Sequence, residues 1–370
     1  MKKIIVSVMF IVLIFFAYGC SSQGDNKRRE GKASVINTEE AIKLSEKYLS
    51  LLINENYEEA LQLCSEDIKE GAQKKGAQKK GGSLRLVGFM RENYNEAGSS
   101  LILNYKLSLV KKGEPRADLD NLSITVSRKD EDYKITKLSA KTEKEAYLEG
   151  NSLRQRKESE IESGPIIRLH RLPKEIYSKN NKAEYTKVPI PNKRFSAVSF
   201  GYQGDSIAIA SEDGSSYIGI IAIEDSTQTM SNMGGGGGGK GSESQQGNEQ
   251  EGLTGEDISS EKPIGKEISS IDVIENSTIN YLVFSGDEKY IMAEYAADGV
   301  TSLKVYEAES GEPINKELEK IFPVDSYRLT FKIFTEDQLI FKVEGIKDNS
   351  QQENGIYGLS LEDHSINKLE

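Results

Sequence analysis

Residues 281–306 read YLVFSGDEKYIMAEYAADGVTSLKVY, and the second half of the chain is decided by how this stretch is read. Its apolar runs, Tyr281–Phe284, Tyr290–Glu294 and Leu303–Tyr306, have strand length and carry aromatic and β-branched residues. The polar turn Ser285–Glu288 separates the first two, and Asp298-Gly299 lies before the third, which predicts consecutive antiparallel strands. The same grammar stands upstream, in Ala197–Phe200, a Gly-Asp turn, Ser206–Ala210, Glu212-Asp213-Gly214 and Tyr217–Ile223. A looser copy follows at Leu329–Phe334, Thr335-Glu336-Asp337, Leu339–Val343 and Ile356–Ser360. Three copies of one pattern predict repeated sheet units.

The order strand, polar turn, strand, Asp-Gly, strand resembles the blades of β-propellers, whose units are antiparallel sheets set radially. The resemblance implies a mostly-β, propeller-like region over residues 164–370. A closed ring takes at least about four blades, whereas three copies are readable and Ile166–Val188 is the remaining candidate. The Gly-His and Trp-Asp signatures of the commonest propellers are missing, and the chain has no tryptophan. A partial propeller and an irregular stack of sheets both remain open. Residues 230–266 interrupt the copies with six glycines, Gly234–Gly239, and a Ser/Glu/Gln-rich stretch. A phosphate-cradling loop would need a preceding strand and a Lys-Ser/Thr opening a helix; Lys240 is followed by Gly241, so the segment reads as a disordered insertion.

In the first half, Asn37 with Glu40 and Asn56 with Glu59 have the spacing of helix N-caps followed by acids, opening one helix with Ala41, Leu44, Tyr48, Leu51 and Leu52 on its apolar face and a second through Ile68. The direct repeat GAQKK-GAQKK within Glu70–Gly82 reads as a loop insertion, and Leu84–Tyr94 as a third short helix. Alternation then takes over. Leu101, Leu103, Tyr105, Leu107 and Leu109 share one strand face, and Leu122–Val126 and Tyr133–Leu138 form a hairpin about the charged turn Arg128–Asp132.

This order of helices then antiparallel strands resembles nuclear transport factor two-like domains, in which a curved sheet wraps a long helix into a cone. The resemblance implies an α+β fold, helices packed on a curved antiparallel sheet, over residues 36–140. It also makes Tyr48, Tyr94 and Tyr105 candidates to line a cavity, the alternative being core tyrosines with a hydrogen-bonded tip. Thr142 with Glu145 predicts a further helix over 141–163, ended by Gly164-Pro165 and linking the two domains.

The N-terminus carries an address. Lys2 and Lys3 precede the apolar run Ile4–Phe16, which is shorter than the about 20 residues that span a bilayer and has the form of a secretory signal. It ends at Ala17-Tyr18-Gly19-Cys20. This resembles bacterial lipoprotein precursors, which implies cleavage after residue 19, diacylglycerol on Cys20 and anchoring to the outer face of the cell membrane. Residues 20–35 read as a polar tether. Cys64 lies in an amphipathic pattern and reads as a small buried hydrophobe rather than a reactive thiol.

The chain holds 48 Lys and Arg against 59 Asp and Glu, a net charge of -11, and no basic stripe, so nucleic acid is not an expected partner. The two histidines, His170 and His364, stand apart from any zinc-site spacing, and no Gly-x-Ser-x-Gly elbow is present. No catalytic, metal or cofactor residue is nominated. The expectation is an extracytoplasmic lipoprotein that binds or scaffolds an envelope protein partner, not an enzyme; the alternative is a hydrolase acting on cell-wall glycan through a carboxylate pair.

Overall fold

The computed structural model describes residues 36–74, 84–129, 132–158, 160, 163–177, 186–223, 261–314 and 316–370. The signal segment, Cys20, the tether, the second copy of the GAQKK repeat and residues 230–260 of the insertion lie outside them. The described chain is mostly strand, arranged in several antiparallel sheets. The expected α+β domain of helices packed on a sheet, placed ahead of a separate β domain, is therefore corrected.

The N-terminal helices are α1 (Thr38–Ile53), α2 (Tyr57–Gln62) and α3 (Glu66–Lys74). Asn37 caps α1, its side chain accepting from the Glu39 and Glu40 N–H groups. The second expected helix is broken between Gln62 and Glu66, and the first GAQKK copy ends α3 instead of forming a loop.

The strands that follow are β1 (Arg85–Ala97), β2 (Ser100–Val110), β3 (Ala117–Lys129), β4 (Asp132–Glu149), β5 (Ser152–Lys157) and β6 (Gly164–Arg168). They form one six-stranded sheet in sequence order. Both of the remaining expected helices are strands here. Leu84–Tyr94 falls in β1, where bulges at Leu86/Gly88 and Arg91/Asn93 break the strict alternation by which a strand is recognised. In place of the linker helix expected over 141–163, residues 141–149 are the end of β4 and Ser152–Lys157 are β5. Their hairpin closes at Glu149 and Ser152 around Gly150-Asn151, with Gly150 at φ +59°, a two-residue turn that forces the chain back on itself rather than into a helix.

The repeat copies become three sheets. The first is β9 (Arg194–Phe200), β10 (Ser206–Glu212), β11 (Ser216–Ile223) and β12 (Gly265–Ile274); the second is β13 (Ser277–Phe284), β14 (Tyr290–Ala297) and β15 (Val300–Glu307). The third is β16 (Tyr327–Phe334), β17 (Gln338–Gly345), β18 (Gly355–Ser360) and β19 (Ile366–Lys368). The strand β12 takes up the last residues read as disordered insertion. Residues 166–188 supply β6 and a short ribbon of β7 (Glu175–Tyr177) and β8 (Lys187–Pro189), not a fourth sheet of the same kind. Asp298 and Gly299 both have positive φ, +51° and +80°, the turn geometry that matches strand twist and that Asp-Gly tolerates.

One core runs through the boundaries drawn from the sequence. Val87, Leu119, Ala146 and Leu153 of the long sheet are buried together with Phe195, Ile209, Val283, Phe331 and Phe341 of the three repeat sheets. A second cluster joins Ala41, Tyr48 and Leu49 of α1 to Leu101, Leu103 and Tyr105 of β2. A third lies between the first two repeat sheets, around Ile218, Leu282 and Ile291. Emptying one such site, as in Leu49→Ala, costs about 2–5 kcal/mol because neighbours relax only partly into the gap.

Candidate functional site

The turns that join the first two strands of each repeat are each closed by a backbone bond, across five residues in the first two copies and three in the third. Gly201 N–H donates to the Ser206 carbonyl at 3.0 Å, Ser285 N–H to Tyr290 at 2.9 Å, and Thr335 N–H to Gln338 at 2.9 Å. In the second and third copies a hydroxyl two residues ahead of an aspartate holds its carboxylate: Ser285 Oγ donates to Asp287 at 2.8 Å and Thr335 Oγ1 to Asp337 at 2.7 Å. The first two turns are also tied to each other. Glu288, at φ +58°, accepts from the Gln203 N–H at 2.8 Å and from Ser206 Oγ at 3.3 Å.

The second and third turns meet α1 and β1 around a cleft of about 580 Å³. Glu46 and Ser50, four residues apart on one face of α1, line it together with Ser285–Asp287 and Ile333–Asp337. Three consecutive residues of β1, Phe89, Met90 and Arg91, complete the lining. Successive side chains of a strand point to opposite faces, so a cleft lined by three in a row follows the strand's edge. Among the described strands β1 pairs with β2 alone, which leaves that edge unpaired by any other strand.

The charge in the cleft is one-sided. Glu46, Asp287, Glu336 and Asp337 face a single lining cation, Arg91, which pairs with Glu46. Asp287 also pairs with Lys289 at 2.9 Å. Burial pushes the Glu46 carboxyl up, against the pull of the Arg91 guanidinium, and the nearby Glu336 charge adds to the rise. Phe89, Met90, Ile333 and Phe334 supply apolar surface beside these groups.

The tyrosines nominated from the sequence lie elsewhere. Tyr48 and Tyr105 come together in the core beneath α1, where burial raises both phenols to about 12. The Tyr105 hydroxyl shares a 2.5 Å hydrogen bond with Ser45 Oγ, and its ring meets Phe89 edge-on at 5.7 Å. Tyr105 thus backs the cleft wall without lining it. Tyr94 is 48% exposed on the outer end of β1 and joins neither. Cys64 is buried, its thiol raised to about 11 chiefly by burial. Cys20 lies outside the described residues.

The cleft residues Glu46, Arg91 and Glu336 escaped the sequence reading. The paired Ser-x-Asp and Thr-x-Asp turns were a legible signal that copies two and three present equivalent loops. That α1 and β1 are brought to the same loops is a tertiary fact. Among the described residues, no group of three His, Cys, Asp or Glu side chains is placed to hold a metal ion, and no helix is long and apolar enough to cross a membrane.

No family model and no curated protein matches this chain. Among solved structures it is similar to oligopeptidase B from Leishmania major, at a TM-score of 0.26 and 8% identity over 80% of this chain and 42% of that one. It is similar to a protein described as a 6-phosphogluconolactonase from Bacteroides uniformis, at 0.25 and 9% over 76% and 83%. The β-propeller domain of Cps50 (Swd1) from Myceliophteria thermophila follows at 0.23 and 9% over 77% and 98%. The chain spans about two fifths of the oligopeptidase. At this level the likeness goes no further than sheet-rich architecture, with a β-propeller domain as a weak neighbour.

Proposed function

We propose that this chain is a lipid-anchored binding or scaffolding protein of the bacterial envelope, held at the outer face of the cell membrane through Cys20, and that it receives an envelope protein in the cleft. The observation that carries the binding part is the cleft itself, in which two equivalent repeat turns, α1 and the edge of β1 converge on a volume of about 580 Å³. The anchoring part rests on the sequence Ala17-Tyr18-Gly19-Cys20 after a short apolar run. Each buried lipid methylene contributes about 0.8 kcal/mol, and two acyl chains are the usual minimum for stable anchoring.

A photoreactive residue at position 286 tests this in living cells, because a side chain there meets open space. A discrete protein crosslinked from that position, and lost in Cys20→Ala, is the expected result. Mass spectrometry of the mature N-terminus should find diacylglycerol on Cys20. Capture of no protein, or the same capture from an unanchored chain, would overturn the reading.

A second reading, hydrolysis of cell-wall glycan by a carboxylate pair, is favoured by one observation. Glu46 and Glu336 line the same cleft, and burial raises one of them in the manner of a general acid. Release of soluble fragments from labelled wall material, abolished by Glu336→Gln, would establish it in place of the first.

A further inference from the structure

Resting on the binding reading above, we propose that the occupant of the cleft is an extended peptide segment of a partner protein, laid alongside β1, with a basic side chain between Glu46 and Glu336 and an apolar neighbour against Met90. Three independent features of the cleft select that chemistry.

The first is the backbone. An edge strand presents a row of N–H and C=O groups to whatever lies beside it, and a peptide added there gains main-chain hydrogen bonds whatever its sequence. Phe89–Arg91 of β1, an edge strand among the described residues, line the cleft, so an extended chain laid there meets that edge. A folded surface or a sugar ring would leave those groups without strand-like partners. The second feature is charge. Four carboxylates line the cleft; Arg91 pairs with Glu46 and Lys289 with Asp287, so the charges of Glu336 and Asp337 remain to attract an entering cation and repel an entering anion. Glu336 is exposed at the rim, where it can meet such a cation at little cost in desolvation. The third is the apolar surface of Phe89, Met90, Ile333 and Phe334 beside the charges. Along an extended peptide, alternate side chains face opposite ways, so a basic residue directed to the α1 side, where Arg91 meets Glu46, has its neighbour directed to the other face of β1, where Met90 packs.

The turns of copies two and three are braced by side-chain hydrogen bonds. Asp287 and Asp337 are each bonded by the hydroxyl two residues before them, and Glu288 ties the second turn to the first. A preformed wall loses little entropy when a flexible peptide binds.

The test uses the full lipidated chain in detergent and three labelled peptides: alternating Val and Lys, the same with Glu in place of Lys, and the Val-Lys peptide N-methylated on the backbone facing β1. Fluorescence anisotropy should show binding of the Val-Lys peptide, weakened by salt, and none of the other two. Glu336→Gln should weaken it about three- to ten-fold, with a thermal melt unchanged from the parent chain to exclude misfolding. Equal binding of the Glu peptide, of the N-methylated peptide or to the Glu336→Gln chain would overturn the proposal, as would displacement of the peptide by a short N-acetylglucosamine oligomer. Failure here separates from failure of the broader reading. A partner crosslinked from position 286 equally well in a Glu336→Gln cell would leave the scaffold standing and remove this occupant.

Discussion

Asp118, on β3, sits beside Asp120 and across the ladder from Glu145 of β4, with Arg116 Nη2 3.6 Å from Oδ1. Burial pushes its carboxyl up to about 6, the Arg116 charge opposes this, and Glu145 and Asp120 add to it. Because the folded value lies above the unfolded one, the native state holds more protons between about pH 4 and pH 6, and stability falls as pH rises through that window. Asp118→Asn is therefore expected to stabilise the protein by about 1–2 kcal/mol at pH 7.5, a difference that vanishes below about pH 4. Urea melts of both chains at the two pH values check this; a gain that persists at low pH would trace to packing instead. Glu294 has the opposite role. Its buried carboxylate accepts from the Phe331 N–H at 3.1 Å and from Asn280 Nδ2 at 3.2 Å, tying the second repeat sheet to the bulged strand β16. Glu294→Ala should cost about 2–3 kcal/mol by leaving those donors unsatisfied, and Glu294→Gln, which keeps an acceptor, markedly less. Neither residue was legible beforehand, because nothing local in DLDN or AEYA says that a carboxylate is buried.

At the scale of elements, the contact between β1 and the first repeat turn depends on Gly88. A Cβ there would collide with the hydroxyl of Tyr202 and clear the rest of that ring, Cζ being 3.5 Å away. Gly88→Ala should destabilise by about 1–3 kcal/mol through overpacking. The double variant Gly88→Ala/Tyr202→Phe should recover most of that loss, since the colliding atom is gone. A double-mutant cycle by thermal melting with no coupling between the two positions would refute the contact. This glycine also marks where the element assignment went astray. Gly88 and the bulges around it interrupt the period-two pattern of β1, so Leu84–Tyr94 resembled a short helix. By contrast β2, whose burial alternates from Ser100 to Leu107, was read within one residue of its observed course. The Asp298-Gly299 turn was equally plain, since a two-residue hairpin demands positive φ at both positions and few residue pairs allow it.

For the whole molecule, the buried cluster that runs from Val87 to Leu361 crosses from the long sheet into all three repeat sheets. Elements that share one core unfold together, so calorimetry of the chain should show a single transition for residues 36–370. Two separated transitions would instead mark independent domains. The sequence by itself determined the strand repeats, the capped first helix and the acidic balance, because each is written in local pattern: alternation, capping spacing, turn dipeptides and composition. Only the tertiary structure decided that residues 141–157 extend a sheet, that one core spans the expected boundaries, and that Glu46, Arg91 and Glu336 share a cleft. The physical reason is the same in each case. Strand pairing and long-range burial join residues far apart in the chain, and their energy depends on the partner an element finds, which the element's own residues do not encode.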